Sequence, residues 1–285
     1  MGTTHKVAGG NGANISVFEC GNPDGSALFF IHGFAQSCLT WKYQFDSALA
    51  DEFRIVAMDL RGHGMSDKPV GVENYSDGDL WADDVAAVID QLKLNNPVLS
   101  GWSYGGLVIS DYLRRHGQDN INAINFVGAT VTIGTDVASK LIGPGIMEHI
   151  SGIMSEDLAE SLAATRQFIV NCSAEPPSAE DLELALAYNM MVPPYARLGL
   201  FSREVHFGDT LSGVTVPTLV THGTADTVVL PEMGELILSI IPGAQKSFYD
   251  GIGHAPFMED ANRFNREIAE LARSAAAQDA VRTAS

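Results

Sequence analysis

Pro97-Val98-Leu99-Ser100-Gly101-Trp102-Ser103-Tyr104-Gly105-Gly106 is the stretch on which the reading of this chain turns. Pro97 to Ser100 reads as a short buried strand. Gly106 to His116 carries Leu107, Val108, Tyr112 and Leu113 at helical spacing. Ser103 therefore falls between two glycines at a strand-to-helix junction, on a sharp turn that lifts its hydroxyl off the backbone. Side chains at Gly101 and Gly105 would collide across so tight a turn. The competing reading is a chance Gly-x-Ser-x-Gly in a glycine-bearing loop, and only structural context separates the two.

Around this stretch, short apolar runs alternate with longer amphipathic ones, the pattern of an α/β protein with a mostly parallel sheet covered by helices. Ile15 to Glu19, Ala27 to Ile31, Phe53 to Met58, Ile121 to Val127, Val216 to Thr221 and Lys246 to Tyr249 are the expected strands. Leu39 to Ala50, Pro231 to Ile240 and Phe257 to Ala276 are expected helices, with a frayed tail after Ala277. Tyr75 to Leu92 is the clearest helix. Trp81, Val85, Val88, Ile89 and Leu92 form its stripe, Ser76 with Asp79 its N-cap, and Asp83 and Asp84 a solvated face. From Ile133 to Asp209 the pattern turns helical, with Pro176-Pro177 and Pro193-Pro194 as breaks, and this is too long for an ordinary crossover. Residues 133–209 are read as an inserted helical cap, and residues 1–132 with 210–285 as the core.

The bulk composition bounds the function. A chain of 285 residues, 46% hydrophobic and 18% charged, can bury a large core. Its formal charge of -18, with 17 Lys and Arg against 35 acids, opposes nucleic acid and anionic membrane surfaces as partners. No apolar run is long enough to span a bilayer, and no export signal precedes Gly12. Lys6 stands where a myristoylation site needs Ser or Thr. Cys20, Cys38 and Cys172 are odd in number and widely spaced, which suits reduced thiols. The expectation is a cytoplasmic monomer or homodimer that acts on a small molecule, with no cofactor and no metal.

A serine hydroxyl is a weak nucleophile until a base takes its proton. His254 lies in a glycine-bearing loop, Tyr249 to Pro256, right after the last expected strand. Asp226 occupies the corresponding loop after the preceding strand. A turn aspartate and a surface histidine are the bland alternatives for each alone. Jointly the three residues predict a triad in which His254 accepts the Ser103 proton and Asp226 fixes and stabilises the imidazole. The developing oxyanion needs donors, assigned to the backbone N–H groups of Tyr104 and Phe34. His32 is read as a satisfied turn histidine, and the loop of Asp59, Arg61 and His63 as a structural tie. The expected substrate pocket is lined by Phe34, Trp102, Met147, Met191 and Val228. Arg166, Arg197 and Arg203 are candidates for a substrate carboxylate, set against the commoner fate of a helical arginine as solvated or paired.

Taken together, His32-Gly33-Phe34, Asp59-Leu60-Arg61-Gly62-His63-Gly64-Met65-Ser66, Gly101 to Gly106, Gly223-Thr224-Ala225-Asp226 and Gly253-His254 resemble the α/β-hydrolase superfamily from Ile15 to Leu271, least so in the cap. The order Ser103, Asp226, His254 is that of the superfamily. Within it the chain is most similar to small capped enzymes: bacterial carboxylesterases, cofactor-free haloperoxidases (perhydrolases) and carbon–carbon bond hydrolases. The resemblance implies the α/β-hydrolase fold, an eight-stranded mostly parallel sheet with one early antiparallel strand, helices on both faces and a helical lid. It implies a serine hydrolase of small to medium carboxylic esters. Carbon–carbon hydrolysis, lactone opening, perhydrolysis, or a ligand-binding or lyase role remain the alternatives. Two departures narrow the field. Epoxide hydrolases and haloalkane dehalogenases carry aspartate where this chain has Ser103, and the HGGG loop of some lipases is absent.

Overall fold

The structure, a computed structural model, describes residues 2–283. Eight strands form one sheet in the order Thr3–Ala8, Asn14–Gly21, Arg54–Met58, Ala27–Ile31, Val98–Trp102, Ala123–Val127, Thr218–Gly223, Gln245–Tyr249. Asn14–Gly21 runs against both of its neighbours, while every pairing from Arg54–Met58 to Gln245–Tyr249 is parallel. The expected sheet, with its single early antiparallel strand, is therefore present.

The central strands are buried along their whole length, as their unbroken apolar runs require. Alternation divides their side chains between two cores. Phe29, Ile31, Leu99, Ile124 and Phe126 point to one. Leu28, Phe30, Val98, Trp102 and Ala123 point to the other, beneath the C-terminal helix. Because the strands are parallel, their C-terminal ends share one edge. The loops that hold His32, Asp59, Ser103, Asp226 and His254 all leave from that edge.

Several elements differ from the sequence reading. Thr3–Ala8 forms an edge strand that no long apolar run announces, since mainly Val7 turns inward. Leu39 to Ala50 breaks into turns at Cys38–Trp41, Lys42–Phe45 and Leu49–Glu52. There the Ser47 hydroxyl donates to the Gln44 carbonyl and accepts the Leu49 N–H, satisfying groups a continuous helix would use. The helix Gly78–Gln91 is capped by Asp77 and not Ser76, because Glu73–Ser76 is a separate turn. Asp84 is fully buried against Arg61, not solvated. The last helix starts afresh at Ala261 after a break at Asp260, and it continues to Thr283, so the frayed tail is not seen there; residues 284–285 lie outside the described residues.

Between Val127 and Thr218 the chain leaves the sheet. Thr132–Ile133 pairs antiparallel with Val205–His206 and ties the two ends of this excursion together. Between them lie helices Leu158–Asn171, Ala179–Met190 and Pro194–Phe201.

Candidate active site

Ser103 sits at φ +55, in the left-handed region that a non-glycine residue enters only under constraint. Its N–H donates to Val127 O at 3.0 Å, and its carbonyl accepts from Gly106 N and Thr130 N at the same distance. The flanking glycines are required by space. A Cβ at Gly101 would lie 2.6 Å from Ile109 Cδ1, and one at Gly105 would lie 2.5 Å from Ile31 O. The helix Gly105–His116 begins immediately beyond, so its positive end faces the serine.

Asp226 and His254 come together at the same edge. His254 Nδ1 lies 2.7 Å from Asp226 Oδ2, and both side chains are sealed from solvent. Asp226 Oδ1 accepts Val228 N at 2.8 Å and Val229 N at 3.0 Å. Burial alone would raise the Asp226 pKa. The charge of His254 and the bonds from His222 and His254 outweigh it and bring the value down to about 2. Trp102 Nε1 donates to the His254 carbonyl at 2.8 Å, with its ring 5.4 Å from the imidazole, so the residue beside Ser103 carries the histidine loop. His254 Nε2 is buried and bonded to nothing among the described residues, so the Ser103–His254 hydrogen bond is not made in this resting geometry.

Among the described residues, neither the Phe34 nor the Tyr104 backbone N–H is spent on another backbone group. Gly33 is pressed against Ser103, since a Cβ there would lie 2.9 Å from Ser103 Cβ. Two buried histidines hold this loop. His32 Nδ1 bonds Gly33 O at 2.8 Å, and its Nε2 accepts Leu60 N at 3.0 Å. His63 Nε2 accepts Ala35 N at 3.2 Å, and its Nδ1 bonds Arg61 O at 2.8 Å. Each ring thus donates once and accepts once, the pattern of neutral imidazole. Burial is the main reason that their pKa values fall to about 4 and about 3.

The expected pocket residues scatter. Phe34 is buried edge-on to Phe201, with ring centroids 4.8 Å apart, and near Phe168 at 6.1 Å. Val228 is buried at the Asp226 carboxylate. Trp102 is not on that side. Strand alternation turns it into the opposite core, against Phe257 at 4.9 Å, where it supports His254 instead of lining a pocket. Met147, the last residue of the turn Pro144–Met147, and Met191, the C-cap of the helix Ala179–Met190, are 50% and 42% exposed instead of packed beside Phe34 and Val228. Arg203 pairs with Asp111 through both carboxylate oxygens and with the Tyr104 hydroxyl. Arg197 donates to the Ile153 and Asn189 carbonyls at two helix ends. Arg166 is exposed. The three cysteines are free thiols.

Two neighbours of the site escaped the sequence reading. His222 Nε2 lies 3.1 Å from Asp226 Oδ2, and its position four residues before Asp226, at a strand end, was the available signal. Glu259 accepts Gly253 N at 3.0 Å and Ala174 N at 2.8 Å, fastening the histidine loop to the helical excursion. Among the described residues no group of three or more His, Cys, Asp or Glu is arranged to hold a metal ion, and no helix is long and apolar enough to cross a membrane. A surface cavity of about 850 Å³ is lined by residues that include Asp90, Tyr112 and His116. It lies at the far end of the helix that starts beside Ser103, roughly 18 Å away along the axis.

Residues 26–261 match the model of the alpha/beta hydrolase fold family. The chain is 28% identical to a non-heme chloroperoxidase of Streptomyces lividans, over 96% of this chain and 100% of that one. It is 27% identical to the bifunctional esterase/perhydrolase DCH of Acinetobacter calcoaceticus, over 93% and 98%. Among solved structures, the esterase RhEst1 from Rhodococcus sp. ECU1013 superposes with a TM-score of 0.89 at 36% identity, covering 95% of this chain and 98% of that one. With its strand order, its serine turn and these likenesses in agreement, this chain belongs to the alpha/beta hydrolase family.

Proposed function

We propose that this protein, an ester hydrolase of the alpha/beta hydrolase family, cleaves small to medium carboxylic esters through an acyl-enzyme on Ser103. The observation that carries the reading is the buried His254–Asp226 bond, which commits Nδ1 and leaves Nε2 as the open ring nitrogen beside a strained serine turn. Ser103 Oγ attacks the ester carbonyl while His254 Nε2 takes its proton. Asp226 stabilises the imidazolium, and the N–H groups of Phe34 and Tyr104 receive the oxyanion. Collapse expels the alcohol, which takes the proton back from His254. Water then enters by the same base and releases the acid, restoring Ser103.

In this reading residues 133–209 form a lid, and Phe34, Phe168 and Phe201 supply its apolar contact with the acyl group. Perhydrolysis requires only that hydrogen peroxide replace water in the second step, and the esterase/perhydrolase relative favours it as the second reading. The test is hydrolysis of p-nitrophenyl esters by wild type, Ser103→Ala and His254→Ala. Turnover should fall by about 10⁵–10⁶ in either variant. A fluorophosphonate should label wild type only, and equal rates in all three proteins would end the reading.

A further inference from the structure

His222 is the penultimate residue of the strand Thr218–Gly223 and is fully buried. Its Nε2 is 3.1 Å from Asp226 Oδ2, the same oxygen that meets His254 Nδ1 at 2.7 Å, and 2.9 Å from the Val229 carbonyl oxygen. A ring lone pair facing two oxygens would be repelled by both, so the proton resides on Nε2. Nδ1 is then the bare nitrogen, and it is buried with no partner among the described residues, beside Gly234 and the Phe248 ring. Burying an unsatisfied nitrogen is unfavourable. An apolar residue would avoid it, and what such a residue lacks is the Nε2 proton, which the Val229 carbonyl accepts at 2.9 Å with Asp226 Oδ2 beside it at 3.1 Å.

We propose that His222 is a positioning residue that holds Asp226 Oδ2 against His254 and sets the pH at which the His254–Asp226 pair becomes active. The inference rests on the reading that Asp226 and His254 serve Ser103. The Nε2 proton draws on the electron density of Oδ2 and fixes where that oxygen stands. Without it, Oδ2 turns wholly to His254, the imidazolium is held more firmly, and deprotonation needs a higher pH. The other titratable groups facing the pair are the Cys172 thiol, from the helical excursion, and the Glu259 carboxyl. Burial pushes both upward, and both are common to every variant below.

The experiment is the pH profile of kcat/KM on p-nitrophenyl acetate for wild type, His222→Leu, His222→Gln and His222→Asn, with Ser103→Ala in the same assay. The acid limb of His222→Leu should move up by about 0.5–1 pH unit, and kcat should fall about tenfold with KM within about twofold. Gln carries an N–H at the reach of Nε2 and should restore both. Asn, one carbon shorter, should behave as Leu does. If the Leu protein does not fold, the Gln–Asn contrast decides. An unmoved limb with nearly unchanged kcat in Leu or Asn, or a Gln variant as impaired as Asn, overturns the positioning role. Undiminished turnover by Ser103→Ala would instead overturn the triad reading beneath it.

Discussion

Arg61 and Asp84 meet through two hydrogen bonds of 2.7 Å, Nε to Oδ2 and Nη2 to Oδ1, with neither side chain exposed. Asp84 also accepts Gly10 N at 2.8 Å, and Arg61 donates to Gly10 O at 3.0 Å. One ion pair thus joins the loop after Met58, the turn before Asn14 and the helix Gly78–Gln91. Asp84→Ala strands a buried guanidinium and should cost about 3–5 kcal/mol in urea unfolding. Replacing both partners together, Arg61→Met with Asp84→Leu, should cost clearly less. A loss below about 1 kcal/mol for Asp84→Ala would show that the pair is not a structural tie.

His63 governs an acid weakness. Its folded pKa of about 3 lies below the unfolded value near 6.5, so only the unfolded chain takes up the proton as pH falls between them. The native state therefore loses stability from about pH 6.5 downward, and the loss is complete only below about 3. Asp111 works the other way, because burial raises it to about 6 despite Arg203, but it does so equally in a His63 variant. His63→Gln keeps an acceptor for Ala35 N and carries no proton. Its stability relative to wild type should rise on the order of 3 kcal/mol between pH 7 and pH 4. A constant difference across that range refutes the assignment.

Trp102→Phe removes the N–H that holds the His254 carbonyl and keeps most of the contact with Phe257. The expected result is a kcat lower by about tenfold, with KM and acyl-chain preference unchanged. A change in chain preference at constant kcat would return Trp102 to the pocket wall.

Phe201 meets Phe34 edge-on and is half-buried. Phe201→Ala should open the acyl side of the site, shifting preference from p-nitrophenyl acetate toward the hexanoate by about tenfold in kcat/KM. An unaltered ranking across the acyl series would place the acyl group elsewhere.

Much of this protein was legible because its signals are local. The apolar runs Ala27–Ile31 and Val98–Trp102 announce doubly buried strands, and Gly101 and Gly105 announce the turn at Ser103. Asp226 and His254 stand just past strand ends, where parallel pairing must deliver them to one edge. The helix caps and breaks were less legible. Ser76 and Asp77 are equally good caps by type; Asp77 takes the role because Ser76 closes the separate turn Glu73–Ser76, whose Tyr75 carbonyl accepts Trp81 Nε1.

The sequence by itself determined the central strands, the serine turn and the loops that bring Asp226 to His254, since each follows from short-range pattern and chain order. Tertiary structure alone decided which residues stand behind them. Trp102 supports His254 because of the face its strand turns inward, and Asp84 is buried because Arg61 reaches it from a distant loop. His222 touches Asp226 because the chain after Gly223 folds back on the strand end. Residue type states what a side chain can bond, but its partner is set by which surfaces the packed core brings within about 3 Å.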